Sequence, residues 1–210
     1  MTSRTQNIVD VEVIGWQAQK SAGTRNAILE SAIACIVEFG YAGATTTAIS
    51  RKAGLSRGAM LHHFPSKLDI IRGAVEHLHN KRLKAFRRAM SRVAAPTEDR
   101  VALGVDAFFD HVRHPMFVAF FELSVAARTD PELAGILRPT QEAFEAEWYR
   151  TAKEVFPEWQ GRDEQFDIAL DLSRYVMEGL AVSSLTHRGS ESDKRILKYL
   201  ADKLHELRDA

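Results

Sequence analysis

The chain has 210 residues, enough for one large domain or two small ones, and its 45% hydrophobic and 27% charged residues are ordinary for a soluble globular protein. No apolar run approaches the ~20 residues needed to cross a bilayer, no basic start with an apolar core marks a secretory signal, and a single cysteine, Cys35, excludes an internal disulfide framework. These features predict a cytoplasmic setting. The formal net charge of zero hides an asymmetry: residues 1–92 carry 14 Lys/Arg against 6 Asp/Glu, about +8, and the remainder 14 against 22, about −8. A basic first part can track phosphates by releasing condensed counterions, and an acidic second part is left to other work.

Along the chain almost everything reads as helix, with no internal repeat. The only alternating stretch, Ile8–Ile14, is short and lies in an N-terminal arm (1–20) read by default as disordered. Two alternatives for that arm are a helical turn through Trp16 and a minor-groove contact through Arg4. The first clear helix runs from about Ser21 to Phe39, with Ile28, Ala32 and Ile36 beside Leu29, Ile33 and Val37, and Gly40 stops it. A short second helix follows Thr45, a good N-cap, and ends at Ala53-Gly54. A third runs from Ser56 to Phe64 and is closed by Pro65.

A long fourth helix starts at Ser66 and reaches about Ser91, and Pro96-Thr97 marks the next boundary. The fifth stripes Val101, Val105, Phe108, Phe109 and Val112 along one face. His114-Pro115 breaks it, and the sixth carries Met116, Phe117, Phe120, Phe121 and Ser124. Asp130-Pro131 has the chemistry of a further helix start, and Pro139 predicts a kink or restart before the helix bearing Phe144 and Trp148 ends near Phe156-Pro157. Two more helices cover about Asp163–His187 and Ser192–Arg208. The fold class is all-α, with nine or ten helices.

Helices two and three are each about two turns long and marginal alone, so they must pack on their neighbours. Such a pair lets its second helix enter a major groove about 12 Å wide. Arg57 opens that helix and can reach a guanine edge or a phosphate. Gly58 and Ala59 keep the surface low, His62 and His63 follow, and Leu55, Met60 and Phe64 anchor the unit. Thr45 and Thr47 are placed to bond phosphates.

The ungapped run Gly40 to Lys67 resembles the DNA-binding domain of TetR-family (TetR/AcrR) transcriptional regulators. It shows their Gly-Tyr (Gly40-Tyr41), threonine-rich helix start (Thr45 to Thr47), Ile with a small residue (Ile49-Ser50), Ala53-Gly54, Leu55-Ser56, His63-Phe64 and Lys67. The likeness is close over about 24–75; beyond that only the helical plan agrees. It implies a three-helix helix-turn-helix domain at 21–66 and an effector-binding and dimerisation domain at 67–210, with 67–91 as connector. It also implies operator DNA, a small-molecule effector and a second copy of the chain as partners, with no cofactor and no membrane. The implied DNA-binding set is Thr45, Thr47, Ser56, Arg57, Gly58, Ala59, His62, His63 and Lys67. Two positions depart from the family pattern: Leu61 stands where Tyr commonly contacts phosphate, and Ala59 where Thr is common. Leucine cannot donate to phosphate, and His62 is the neighbour placed to replace that contact. Lys81, Arg82, Lys84, Arg87, Arg88 and Arg92 on the fourth helix read as a solvated face.

Within the acidic part, Phe108, Val112, Met116, Phe117, Phe120, Phe121, Phe144, Trp148 and Tyr175 form the candidate effector pocket, with Met177 and Phe109 nearby. The same stripes also make ordinary core. Their composition favours a mainly apolar or aromatic ligand, and His111, Arg113, His114 and Glu122 are candidates for fixing a polar end. The eighth helix is apolar on two sides, with Phe166, Ala169, Leu170, Ser173, Val176, Met177, Leu180 and Ala181 on one and Leu172, Tyr175, Gly179 and Val182 on the other. In the ninth, Leu197, Leu200, Leu204 and Leu207 form a seam. Leu172, Gly179, Val182, Leu197, Leu200 and Leu204 are therefore the candidate dimer interface, and a two-fold dimer predicts a palindromic operator. The rival classes are an enzyme and a non-DNA helical adaptor. His111 and His114 lack a full metal-ligand spacing, and no HExxH, paired-Cys motif, glycine-rich phosphate loop or nucleophile elbow occurs. The sequence thus points to a DNA-binding regulator acting in the cytoplasm at the nucleoid, not to an enzyme.

Overall fold

The computed structural model describes the backbone of residues 3–94, 99–187 and 191–210, and side chains from residue 18 onward within those ranges. Nine α-helices occur among the described residues: α1 Ser3–Gly43, α2 Thr46–Lys52, α3 Arg57–His63, α4 Lys67–Val93, α5 Arg100–Val112, α6 Pro115–Ala127, α7 Pro131–Val155, α8 Asp163–Ser183 and α9 Glu191–Asp209. A 3₁₀ turn, Pro157–Trp159, joins α7 to α8. None of these helices is long and apolar enough to cross a membrane. The Pro96-Thr97 boundary and the side chains of Arg4 and Trp16 lie outside the described residues.

Two of the sequence expectations are corrected. α1 begins at Ser3, so helix replaces the disordered arm; the segment before Gly15 contains neither glycine nor proline to interrupt it. Gly40 does interrupt it, at φ 72°, and the chain turns before α2. α7 continues as helix through Pro139, without the restart that was one expectation there. Proline's fixed φ suits helix, at the cost of the backbone hydrogen bond that its missing N–H would make to the Gly135 carbonyl.

The chain divides into two compact units, Met1–His77 and Leu78–Ala210. The division falls inside α4, ten residues beyond its start, because the first turns of α4 pack within the first unit. A side chain at Gly73 would meet Leu29 and Phe64, and His77 Nε2 lies 2.8 Å from Glu30 Oε1. In this unit α2 packs on α1 and on α3. Ile28, Ile36, Ile49, Met60, Ile70 and Ile71 are fully buried.

In the second unit α5 packs against α8 and α9, α8 against α9, and α6 against α7. Its core holds Phe86, Phe108, Phe117, Leu123, Leu133 and Met177. His111 is sealed among rings, with Phe117 5.0 Å, Phe86 6.0 Å and Phe108 6.2 Å away between centroids. Burial, and then the charges of Arg82 and His114, push the His111 imidazole down to about 3.

This burial sets an acid limit on stability. Folded, His111 stays neutral down to about 3, whereas unfolded it binds a proton below its ordinary 6.5. Stability from this group is intact above about 6.5 and is lost as pH falls towards 3, by up to about 1.4 kcal/mol per pH unit. His111→Gln should flatten that loss between pH 6 and 5 in denaturant titrations. An acid slope equal to that of the native chain contradicts the assignment.

Candidate nucleic-acid interface and sensor cavity

The interface is built by caps and a turn. The Thr45 hydroxyl oxygen accepts the Ala48 N–H at 3.1 Å, and the Ser56 hydroxyl oxygen accepts the Ala59 N–H at 3.1 Å, so each short helix starts on a satisfied donor. Neither bond consumes the hydroxyl proton. Between them, Gly54 at φ 69° turns the chain, and the Leu55 N–H returns to the Ser50 carbonyl at 3.0 Å. α4 starts on a reciprocal pair: Asp69 N–H donates to Ser66 Oγ at 3.1 Å, and Ser66 N–H to Asp69 Oδ2 at 3.1 Å.

α3 turns Met60 fully inward and keeps Ser56, Arg57, Gly58, Ala59 and His62 exposed. Leu61 and His63 are half-buried, and Thr45 and Thr47 are exposed at the start of α2. Thr45, Thr47, Ser56, Arg57, Gly58, Ala59 and His62 are thus all accessible. Lys67 is held differently: its Nζ sits 4.8 Å over the Tyr41 ring and 3.5 Å from the Tyr41 carbonyl. Sequence reasoning missed Arg25. Its Nη1 donates to the His63 carbonyl at 2.7 Å and its guanidinium stacks 4.2 Å from the Phe64 centroid, closing the C-terminal end of α3. It also passed over a composition signal: no acidic residue occurs between Glu38 and Asp69, while Arg51, Lys52, Arg57 and Lys67 do. α2 and α3 therefore contribute donors and cations and no carboxylate of their own, although Glu38 of α1 pairs with Lys52.

The second unit holds a cavity of about 50 Å³ lined by Phe86, Gly104, Phe108, Trp148, Phe156 and Met177, among others. That is room for one or two waters, far below the roughly 300–1,000 Å³ of ordinary ligand pockets. Of the expected pocket residues only Phe108 and Trp148 line it. Phe117, Phe120 and Phe144 instead surround the guanidinium of Arg82 at 4.5, 3.8 and 4.3 Å. Val112 and Met116 are buried outside the cavity lining, and Phe121 flanks Phe117 and Phe120. Tyr175 is 62% exposed, because it sits on the outer face of α8, where Arg174 Nη2 donates to its hydroxyl at 3.0 Å. Among the polar candidates, His114 Nδ1 caps α6 by accepting the Met116 N–H at 3.2 Å, and Arg113 stacks on Phe109. No group of three His, Cys, Asp or Glu side chains gathers as a metal site among the described residues.

The basic run of α4 is corrected as well. Lys84, Arg87, Arg88 and Arg92 are exposed, Arg87 while pairing with Glu147 at 2.6 Å, but Arg82 is only 3% exposed. Arg82 belongs to the core because it falls one turn before Phe86 on the inward stripe. Burial pulls its guanidinium down to about 9, with Glu178 opposing, so it is charged at neutral pH.

On the outer surface, Leu172, Gly179 and Val182 are exposed with Ile168 and Tyr175, forming a stripe along α8. Leu200 and Leu204 are 4% and 5% exposed and belong to the core; Leu197 is half-buried. The exposed apolar residues of α9 are Ile196 and Tyr199, one position from the expected seam.

Residues 28–74 match the family model described as bacterial regulatory proteins, tetR family. The chain is 29% identical over 188 residues to the HTH-type transcriptional regulator CymR of Pseudomonas putida, covering 86% of this chain and 88% of that one. A transcriptional regulator of Pseudomonas aeruginosa has a similar fold, with TM-score 0.68 at 17% identity over 89% of this chain and 90% of that one. Another, from Saccharomonospora viridis in complex with choline, has TM-score 0.66 at 19% identity, over 88% and 96%.

The caps make a local prediction. Ser56→Ala should cost about 1 kcal/mol of unfolding free energy in denaturant titration by freeing the Ala59 N–H. An unchanged midpoint contradicts the assignment of Ser56 as the structural start of α3.

Proposed function

The chain belongs to the TetR family of transcriptional regulators, a DNA-binding regulator rather than an enzyme, and from that premise we propose that it is a homodimeric repressor released from a palindromic operator by a small, mainly apolar effector. The observation that carries the DNA-reading part is the outer face of α3: exposed Arg57, Gly58, Ala59 and His62 stand over a buried Met60, in a stretch without a carboxylate. In this reading Arg57 takes a guanine edge or a phosphate, and the low surface of Gly58 and Ala59 lets the backbone approach the duplex. Thr45, Thr47 and Ser56 donate their remaining hydroxyl protons to phosphate oxygens. Lys67, steadied by Tyr41, and His63 supply the flanking backbone contacts, and His62 stands in for the tyrosine that Leu61 replaces.

Pairing uses the outer stripe of α8 (Leu172, Tyr175, Gly179 and Val182) with Ile196, Leu197 and Tyr199 of α9, a two-fold four-helix contact. The reading head lies in the first compact unit, with the first turns of α4 supporting residues 21–66, and the second unit, Leu78–Ala210, is the sensor and pairing part. The regulator works in the cytoplasm, at the nucleoid. α4 contributes turns to both units, so an effector that prefers one position of α4 shifts the population of dimers able to span two half-sites. An effector with equal affinity for free and operator-bound dimer contradicts this route.

The test is salt-dependent binding of the full chain to DNA upstream of its own gene or to selected sequences. Affinity should fall steeply between low and physiological salt, and Arg57→Ala should weaken it at least about tenfold. Failure to bind any sequence at low salt removes the regulator reading. Leu172→Asp should yield a folded monomer in analytical ultracentrifugation at micromolar concentration; a dimer of unchanged strength moves the interface elsewhere.

A further inference from the structure

The most buried cation among the described residues of the second unit leaves two of its three nitrogens without a hydrogen-bond partner. Arg82 Nε and Nη2 have no hydrogen-bond partner, and Glu178 acts on the guanidinium only through longer-range attraction. Phe117, Phe120 and Phe144 stack within 4.5 Å of its central carbon. Such stacking addresses the faces of the guanidinium plane, whereas its N–H groups point along the edges, so three rings leave the donors unsatisfied. Nε and Nη2 share one edge and form the parallel fork that a carboxylate fills with two hydrogen bonds. A buried, charged, unfilled fork is costly to maintain, and an anionic occupant removes that cost.

The surroundings narrow the occupant. His79 Nδ1, His111 Nε2 and Trp148 Nε1 also lack partners, and all three rings lie in the cluster around Phe86 and Phe144. Phe86, one turn along α4 from Arg82, and Met177, next to Glu178, both line the small cavity. Its other walls include Phe108 and Trp148, and it has no charged lining residue. Arg82 is not part of that lining, so an occupant must open the way from the cavity to the fork, with an acceptor on the fork and apolar matter among the rings.

We propose that the effector is a small aromatic monocarboxylic acid whose carboxylate docks on the Nε/Nη2 fork of Arg82, with its ring entering the cluster of Phe86, Phe144 and Trp148. This rests on reading the second unit as the effector-binding part and supplies the chemistry of its ligand. The cavity must widen to admit the ring, so binding couples to movement of the helices that carry these side chains. Arg82 is the anchor that the sequence reading placed on a solvated face.

The test uses the full chain and isothermal titration calorimetry at pH 7.5 with benzoate, phenylacetate and cinnamate. Benzamide, phenylacetamide and cinnamamide serve as neutral partners of the same shape. At least one acid should bind at one per chain, its amide at least tenfold more weakly, and Arg82→Met should abolish binding of the acid. If Arg82→Met fails to fold, Arg82→Lys, which keeps the charge and loses the fork, should bind at least tenfold more weakly. The acid-to-amide comparison in the native chain decides the matter if neither variant folds. The proposal is overturned if no acid binds, if an amide binds as tightly as its acid, or if a folded Arg82 variant binds the acid unchanged. Operator binding is measured on the same preparations. A chain that grips DNA and ignores every acid loses this proposal alone, whereas one that binds neither loses the regulator reading as well.

Discussion

A seven-residue helix makes too few internal hydrogen bonds to persist by itself, and the first unit presents two of them, α2 and α3. Everything the reading head does depends on how this pair is held. Ile49 and Met60 are fully buried, Phe64 is nearly so, and Phe64 reaches the point where Leu29 of α1 and Gly73 of α4 meet. Arg25 then covers the open end of α3 by bonding the His63 carbonyl and stacking on Phe64. Because the inner face carries the stability, the outer face of α3 is free to carry small and cationic residues selected for a partner. The capping hydroxyls of Thr45 and Ser56 hold the helices through their oxygens, which leaves the hydroxyl protons available as donors.

The second unit solves a different problem. Its core is aromatic and closely filled, with a cavity too small for an ordinary ligand, yet it encloses a cation and several unpartnered ring nitrogens. A core designed only for stability would replace such groups by hydrocarbon, since apolar packing matches or exceeds a buried charge in stability. Retaining Arg82 within three phenylalanine rings is readily understood if the folded state is poised for an anion. The outer stripe of α8 and the exposed Ile196 and Tyr199 of α9 place the remaining apolar surface where a second copy can cover it.

Much of this was legible in the sequence where local chemistry decides the outcome. Thr45, Gly54, Ser56 and Asp130 announce caps and turns because their side chains or backbone freedom act within four residues. The structure places their helices accordingly. The run Gly40 to Lys67 carried the family because those short-range signals occur in fixed register. Errors arose where the partner is distant. Arg82 reads as one more member of a basic run until the rings of α6 and α7 are brought around it. Leu200 and Leu204 look like a seam, but which side of an amphipathic helix faces its own core depends on α5 and α8 rather than on α9. Pro139 signals a restart that α7 does not make, and the lack of glycine and proline before Gly15 was a weak local hint that α1 would start at Ser3. The expected pocket residues are spread over the lining of the small cavity, the rings around Arg82 and the outer face of α8. Aromatic stripes on α5, α6 and α7 specify a ring-rich core, while the position of a void depends on how several helices close together.

The central claim, that α3 reads a major groove in two symmetric copies, is tested most directly by guanine N7 methylation protection on a sequence recovered by selection with the full chain. The account predicts protected guanines in two half-sites related by a two-fold axis and separated by about one helical turn or a multiple of it. Protection confined to a single site without symmetry, or the absence of any major-groove protection on bound DNA, would contradict it.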